Sequence, residues 1–89
     1  MPSYLIETYL ARSQAGERAR REQRARSAAE QLTGKRAVVR FERSIYVPED
    51  EICFFVVDAP SGREAALVAE RAELDPFRVV EAFPSEQGA

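Results

Sequence analysis

The segment VPEDEICFFVVDAPSGREAALVAERA, residues 47–72, decides the fold of this 89-residue chain. A polar turn at its start leads into residues 52–57, which are apolar at both alternating positions, as in a central strand covered on both faces. Ser61 and Glu64 then have the S-x-x-E spacing of a helix capping box. Apolar residues recur after it at helical spacing: Ala65, Val68, Ala69 and Ala72. The segment therefore predicts a turn, a buried strand and an amphipathic helix, which Asp75 and Pro76 end.

A second strand and helix are predicted at the N-terminus. Residues 3–10, SYLIETYL, are rich in the aromatic and β-branched types that suit a half-buried sheet. Ser13 can cap a helix that runs to about Leu32, and Gly34 predicts a left-handed stop after it.

Two more strands complete the pattern. Residues 37–47 predict a strand that forms a hairpin with residues 52–57, and residues 77–83, FRVVEAF, predict the last strand. Alternation along residues 37–47 gives that strand two faces. One carries Val39, Phe41 and Ile45, and the other carries Arg40, Glu42 and Ser44.

The order strand, helix, hairpin, helix, strand predicts an α+β fold of the ferredoxin-like βαββαβ type, with two helices on one face of a four-stranded antiparallel sheet. We expect one domain over residues 1–84 and a flexible tail over 85–89. The strands carry large apolar residues at both parities, whereas two helices cover only one face. A second copy is the expected cover for the other face, giving a homodimer of the dimeric α/β-barrel kind.

Three segments resemble a known family: YLIETYL at 4–10, SIYVPEDEICFFVVDAPSGREA at 44–65 and AERAELDPFRVVEA at 69–82. They are similar to the small ferredoxin-like proteins of domain-of-unknown-function family 4242, which includes a described nickel-binding protein. The resemblance implies a dimeric α/β sandwich and no particular activity. The family's nickel site is understood to use histidines, and this chain has none, so the resemblance implies no nickel site here.

Charge is distributed unevenly along the chain. Residues 1–40 carry nine basic and four acidic residues, a net of +5, and residues 41–89 carry four and eleven, a net of −7. Such asymmetry suits an anionic ligand, a nucleic acid, or contact between oppositely charged surfaces of two copies. A single cysteine, no apolar run long enough to cross a bilayer and no secretory signal pattern in residues 1–20 favour a cytoplasmic protein. We expect it to be bacterial.

Four polar residues stand among apolar strand positions: Glu7, Tyr9, Arg43 and Glu81. Polar groups buried alone cost several kcal/mol, so these must be paired or hydrated. They could line the pocket of a small cofactor-independent enzyme, in which a carboxylate takes a proton and an arginine or tyrosine stabilises the enolate. The favoured alternative is a set of ion pairs at a dimer interface or a sheet edge.

The acidic turn and the single cysteine are interpreted as structural. Glu49, Asp50 and Glu51 follow one another in a turn, which points their carboxylates apart, so we predict no metal site there. Cys53 lies in the buried strand with no histidine to act as its base, and is predicted to be a packed core thiol.

The segment ERARREQRAR, residues 17–26, has five arginines spread around a helix rather than along one stripe. Glutamates four residues ahead of two of them support a solvated helix, so a nucleic-acid partner is not expected. The leading hypothesis is a homodimer that binds a small ligand or a protein partner, without a cofactor. The alternative is the small enzyme described above.

Overall fold

Four strands of one antiparallel sheet and two helices make up the computed structural model, which describes residues 1–35 and 37–85. The elements are β1 (Ser3–Tyr9), a 3₁₀ helix (Arg12–Glu17), α1 (Arg18–Leu32), β2 (Arg40–Val47), β3 (Ile52–Asp58), α2 (Gly62–Arg71) and β4 (Arg78–Ala82). The strand order is β2-β3-β1-β4, and the fold is ferredoxin-like α+β, as predicted. Apart from Ser85, the tail predicted at 85–89 lies outside the described residues.

The core lies between the sheet and the two helices. Ile6, Phe55 and Val57 point from the two central strands into it and are fully buried. The helices meet them mostly with small residues: Ala25, Ala28 and Ala29 of α1, and Ala65, Val68 and Ala69 of α2. Each large side chain buried here contributes about 1.5–3 kcal/mol, whereas an alanine contributes much less. The sheet therefore supplies most of the hydrophobic stabilisation.

The first helix ends at Leu32, as predicted, but it starts later than predicted and is stopped by a different residue. Residues 12–17 form the 3₁₀ helix, in which Gln14 leaves helical geometry (φ −116°, ψ 19°), so the α-helix starts at Arg18 instead of near Ser13. No described glycine has a positive φ, so the predicted left-handed stop at Gly34 is wrong. Thr33 ends the helix instead, because its Oγ1 lies 2.9–3.0 Å from the carbonyl oxygens of Ala29 and Val39 and accepts the Val39 N–H.

The second helix begins as predicted and ends early. The Ser61 hydroxyl donates to the Glu64 carboxylate rather than accepting a helix N–H, and this hydrogen bond holds the pKa of Glu64 below its ordinary value. The helix ends at Arg71, before Asp75, through a Schellman motif. In it the Leu74 N–H donates to the Ala69 carbonyl at 3.0 Å, and Glu73 takes the left-handed conformation (φ 54°).

A β-bulge in β2 overturns the predicted alternation of that strand. Phe41 pairs with Val57, but Arg43 pairs with the next residue of β3, Val56, so Glu42 is an extra residue. Phe41 and Ser44 consequently face the helices. Ile45 points to the opposite side, not to the side of Phe41, because the bulge reverses the parity of everything after it.

Candidate functional site: the open face of the sheet

Both helices pack on one side of the sheet, which leaves the other side without a helix. We call this side the open face; it carries Ser3, Leu5, Glu7 and Tyr9 of β1, Arg40, Arg43, Ile45 and Val47 of β2, Ile52, Phe54, Val56 and Asp58 of β3, and Arg78, Val80 and Ala82 of β4. Its composition follows from the alternation of side chains along each strand.

The middle of the open face is apolar. Leu5 lies between Val56 on one neighbouring strand and Val80 on the other, and Ile45 lies beside Phe54. These side chains are half-buried through contact with one another, except Ile45, which is 46% exposed. A continuous apolar surface on a small domain is typical of a binding surface.

One ion pair interrupts this apolar surface. Glu7 lies between Phe54 and Arg78, and its side chain is only 8% exposed. Both Nε and Nη2 of Arg78 lie 2.8 Å from the same oxygen, Glu7 Oε2. No described residue donates to the other oxygen, Oε1. The pair thus holds the carboxylate in place on one side and leaves one oxygen available to a ligand.

Two aromatic rings stand at the end of the open face next to this pair. The rings of Tyr9 and Phe77 are 4.8 Å apart at 36° to each other, and they are 68% and 47% exposed as residues. Phe77 is held at β1 because its N–H donates to the Glu7 carbonyl at 2.9 Å. The two rings extend the apolar surface along β1 beyond Glu7 and are open to solvent.

The four residues predicted as a site do not come together. Glu7 and Tyr9 share the open face as neighbours along β1. Arg43 is on the same face but pairs with Val56, the residue that also pairs with Leu5. Glu7 pairs with Phe54 instead, so Arg43 is not aligned with Glu7 across the sheet. Glu81 pairs with Tyr4 and so lies on the helix side, at the sheet edge. The register places Arg78 beside Glu7 instead.

Arg78 is the residue that sequence reasoning missed. It is the first residue of β4, and its distance from Glu7 along the chain is 71 residues. Only the register between β1 and β4 brings the two together. The signal available in the sequence was the need of Glu7 for a partner, since a carboxylate in an apolar strand face must be paired.

The far corner of the open face carries further paired charges. Ser3 Oγ donates to Asp58 Oδ1 at 2.8 Å, and Arg40 lies between the carboxylates of Asp58 and Glu42, 3.5 Å and 3.0 Å away. Burial alone would raise the pKa of Asp58, but the hydrogen bond that Ser3 donates and the positive charge of Arg40 outweigh it and lower the pKa. An open cavity of about 370 Å³ lies between this corner and Phe83.

The acidic turn and the cysteine have structural surroundings. Glu51 Oε2 accepts the backbone N–H of Arg12 at 2.9 Å, and the described residues contain no group of three or more metal-ligating side chains. Cys53 is fully buried, and this burial raises the pKa of its thiol.

Most arginines of the segment 17–26 bind the chain itself. Nitrogens of three guanidinium groups donate at 2.8–2.9 Å: Arg18 to Ser44 Oγ, Arg21 to the Tyr9 carbonyl and Arg24 to the Ala72 carbonyl. The Arg26 guanidinium carbon lies 5.2 Å from the centre of the Phe41 ring. These contacts tie α1 to the rest of the fold and do not form a basic stripe of the kind that binds nucleic acids.

Comparisons of this chain with protein-family models, with curated proteins and with solved structures found no match. The resemblance to family 4242 therefore stays a prediction. Over the part of the chain that the structure describes, no helix is long and apolar enough to span a membrane.

Proposed function

We propose that the protein is a homodimer formed through the open face, and that it binds a small, largely apolar ligand beside Glu7. The observation that carries the proposal is the nearly buried Glu7 carboxylate on an apolar sheet face, held through one oxygen only. A ligand with an apolar body could contact the apolar middle of the open face, and one hydrogen-bond donor on it could bind Glu7 Oε1.

The pairing of charges on the open face supports a second copy as its cover. Glu7 is neutralised by Arg78, and Asp58 by Arg40, each within one chain. A two-fold interface brings identical surfaces together, which costs little where a surface has already paired its own charges; Arg43 is the exception, since no described carboxylate pairs with it. A strongly charged partner would find few unpaired charges there, so the apolar rows favour self-association.

Sedimentation equilibrium tests the dimer directly. We expect a mass of twice 10.0 kDa at micromolar concentration. Ile45→Asp introduces a charge at an exposed apolar position of the open face and should give a monomer, whereas Ala66→Asp, on the exposed surface of α2, should leave the dimer intact. A monomeric wild type, or an Ile45→Asp variant that remains dimeric, would contradict the proposal.

Native mass spectrometry of the protein as isolated tests ligand binding. We expect a co-purified small molecule whose occupancy falls in Glu7→Gln but not in Glu81→Gln, because Glu81 lies on the other side of the sheet. A mass equal to that of the bare polypeptide dimer, also after incubation with host-cell metabolite extract, would argue against a ligand.

The accessible oxygen of Glu7 also keeps the enzyme alternative open. A carboxylate with one oxygen fixed by an arginine and the other facing an apolar surface has the geometry of a general base. In that case Arg78 and Tyr9, not Arg43, would stabilise the developing negative charge. Catalysed exchange of a ligand C–H proton with deuterated water, measured by NMR and abolished in Glu7→Gln, would establish it over simple binding.

A further inference from the structure

An open groove lies between α1 and α2, on the helix layer and away from the open face. Its volume is about 170 Å³, below the range of pockets for drug-sized ligands, so it suits a single small group. It is lined by Gln23, Arg24, Ser27, Ala28, Gln31 and Arg71. The groove is separate from the open face, so a ligand bound in it is independent of the function proposed above.

The lining has the chemistry of an anion site. Five of its six side chains have groups that can donate hydrogen bonds, two of them positively charged guanidinium groups, and none is a carboxylate. Planar guanidinium groups bind phosphate and carboxylate oxygens through two parallel hydrogen bonds.

The donors of the groove are largely unused. Arg24 Nε donates to the Ala72 carbonyl at 2.8 Å, and this is the single side-chain hydrogen bond of the six lining residues within the described part of the chain. Neither Arg24 nor Arg71 has a carboxylate within ion-pair distance among the described residues. Two cations that share one groove repel each other, and an anion between them removes that cost.

The groove is also held in shape before any ligand arrives. The bond from Arg24 to Ala72 fixes one guanidinium group between the helices, and it covers a carbonyl whose partial negative charge would otherwise oppose an anion. Ala28 is buried in the core at this point and is too short to fill the space above it.

We propose that this groove binds a small oxyanion, a phosphate or carboxylate group. NMR titration of ¹⁵N-labelled protein with sodium phosphate and with sodium acetate, at constant ionic strength maintained with sodium chloride, tests it. Saturable shifts of the Ser27, Ala28 and Arg71 amides are expected, and the anion that binds more tightly identifies the head group.

Two variants distinguish this groove from general surface charge. Arg71→Gln should weaken binding about tenfold or more, as expected for the loss of a charged hydrogen-bond donor. Arg63→Gln removes an equal charge from the exposed first turn of the same helix and should leave binding unchanged. Shifts that grow linearly and match those with chloride alone would overturn the proposal, as would equal weakening in both variants.

Discussion

The two faces of the sheet are built from the same strands, but their apolar side chains are buried to different extents. On the helix side, Ile6, Phe55 and Val57 are fully buried within one chain. On the open face, Leu5, Phe54 and Val56 are of similar size and remain half-buried. Burial on the helix side therefore stabilises the monomer. Completing burial on the open face requires something outside the described chain.

The polar residues of the two faces differ in the same way. On the helix side, Ser44 Oγ accepts from Arg18 Nε at 2.8 Å and donates to Glu22 Oε2 at 2.5 Å, so its hydroxyl both donates and accepts within the chain. On the open face, Glu7 keeps one oxygen without a protein donor from any described residue. A polar group whose bonding is complete has a structural role, and one whose bonding is incomplete can bind a ligand.

The largest expected effect comes from shortening neighbouring phenylalanines that point to opposite faces. Phe55→Ala should cost about 3–5 kcal/mol in free energy of unfolding, because it leaves a cavity in the core. Phe54→Ala should cost clearly less in the monomer and should abolish the concentration dependence of the urea midpoint that a dimer shows. Equal losses of unfolding free energy in the two variants, with an unchanged concentration dependence of the urea midpoint, would show that the two faces do not differ in this way.

A smaller effect is expected from Ser44→Ala on the helix side. The change leaves the Arg18 and Glu22 side chains without their shared partner in a part-buried position, which should cost about 1–3 kcal/mol by urea denaturation. Ser13→Ala, at an exposed position of the 3₁₀ helix, serves as the control and should stay within about 0.5 kcal/mol of wild type. A Ser44→Ala variant as stable as the control would show that the network is not needed.

On the open face, Arg78→Gln should cost about 1–2 kcal/mol. Breaking a fully buried ion pair costs about 3–5 kcal/mol, but Arg78 is 62% exposed, so solvent compensates part of the loss. The double variant Glu7→Gln/Arg78→Gln should recover some stability, since it removes the unpaired carboxylate as well. If the double variant is less stable than Arg78→Gln alone, Glu7 has another partner.

The smallest effect concerns acid sensitivity at the far corner of the open face. Because the fold lowers the pKa of Asp58 below its ordinary 3.8, its charged form stabilises the protein above that pH. The contribution is lost as the pH falls through the folded-state pKa. Asp58→Asn should therefore flatten the decline of melting temperature in this acidic range and leave its pH dependence above pH 5 unchanged. An equally steep acidic decline in Asp58→Asn would assign it to other carboxylates.

Much of the fold was predictable because short local patterns of residues indicate where its strands and helices lie. The apolar residues at both parities of β3 indicated a central strand, and the spacing of Ser61 and Glu64 marked the start of α2. The bulge at Glu42 was not predictable, since no glycine or proline marks it, and it determines that Arg43 and Ile45 share the open face.

The candidate site was predicted only in part. Glu7 and Tyr9 are adjacent on one strand, so their shared face follows from alternation alone. The partnership of Glu7 with Arg78 depends on how β1 and β4 align, which local patterns do not specify. Glu81 was assigned to the same group although its pairing with Tyr4 places it on the other side of the sheet.

The bulge in β2 also bears on aggregation. The segment ICFFVV at 52–57 has the composition of an amyloid-forming stretch, and it lies inside the sheet, paired on one side with β2 and on the other with β1. The edge strands are β2 and β4, and the one next to this segment is β2, whose extra residue and three charged side chains, Arg40, Glu42 and Arg43, make it a poor template for another strand. This protection lasts only while β2 stays attached, because its loss turns the apolar segment itself into a sheet edge.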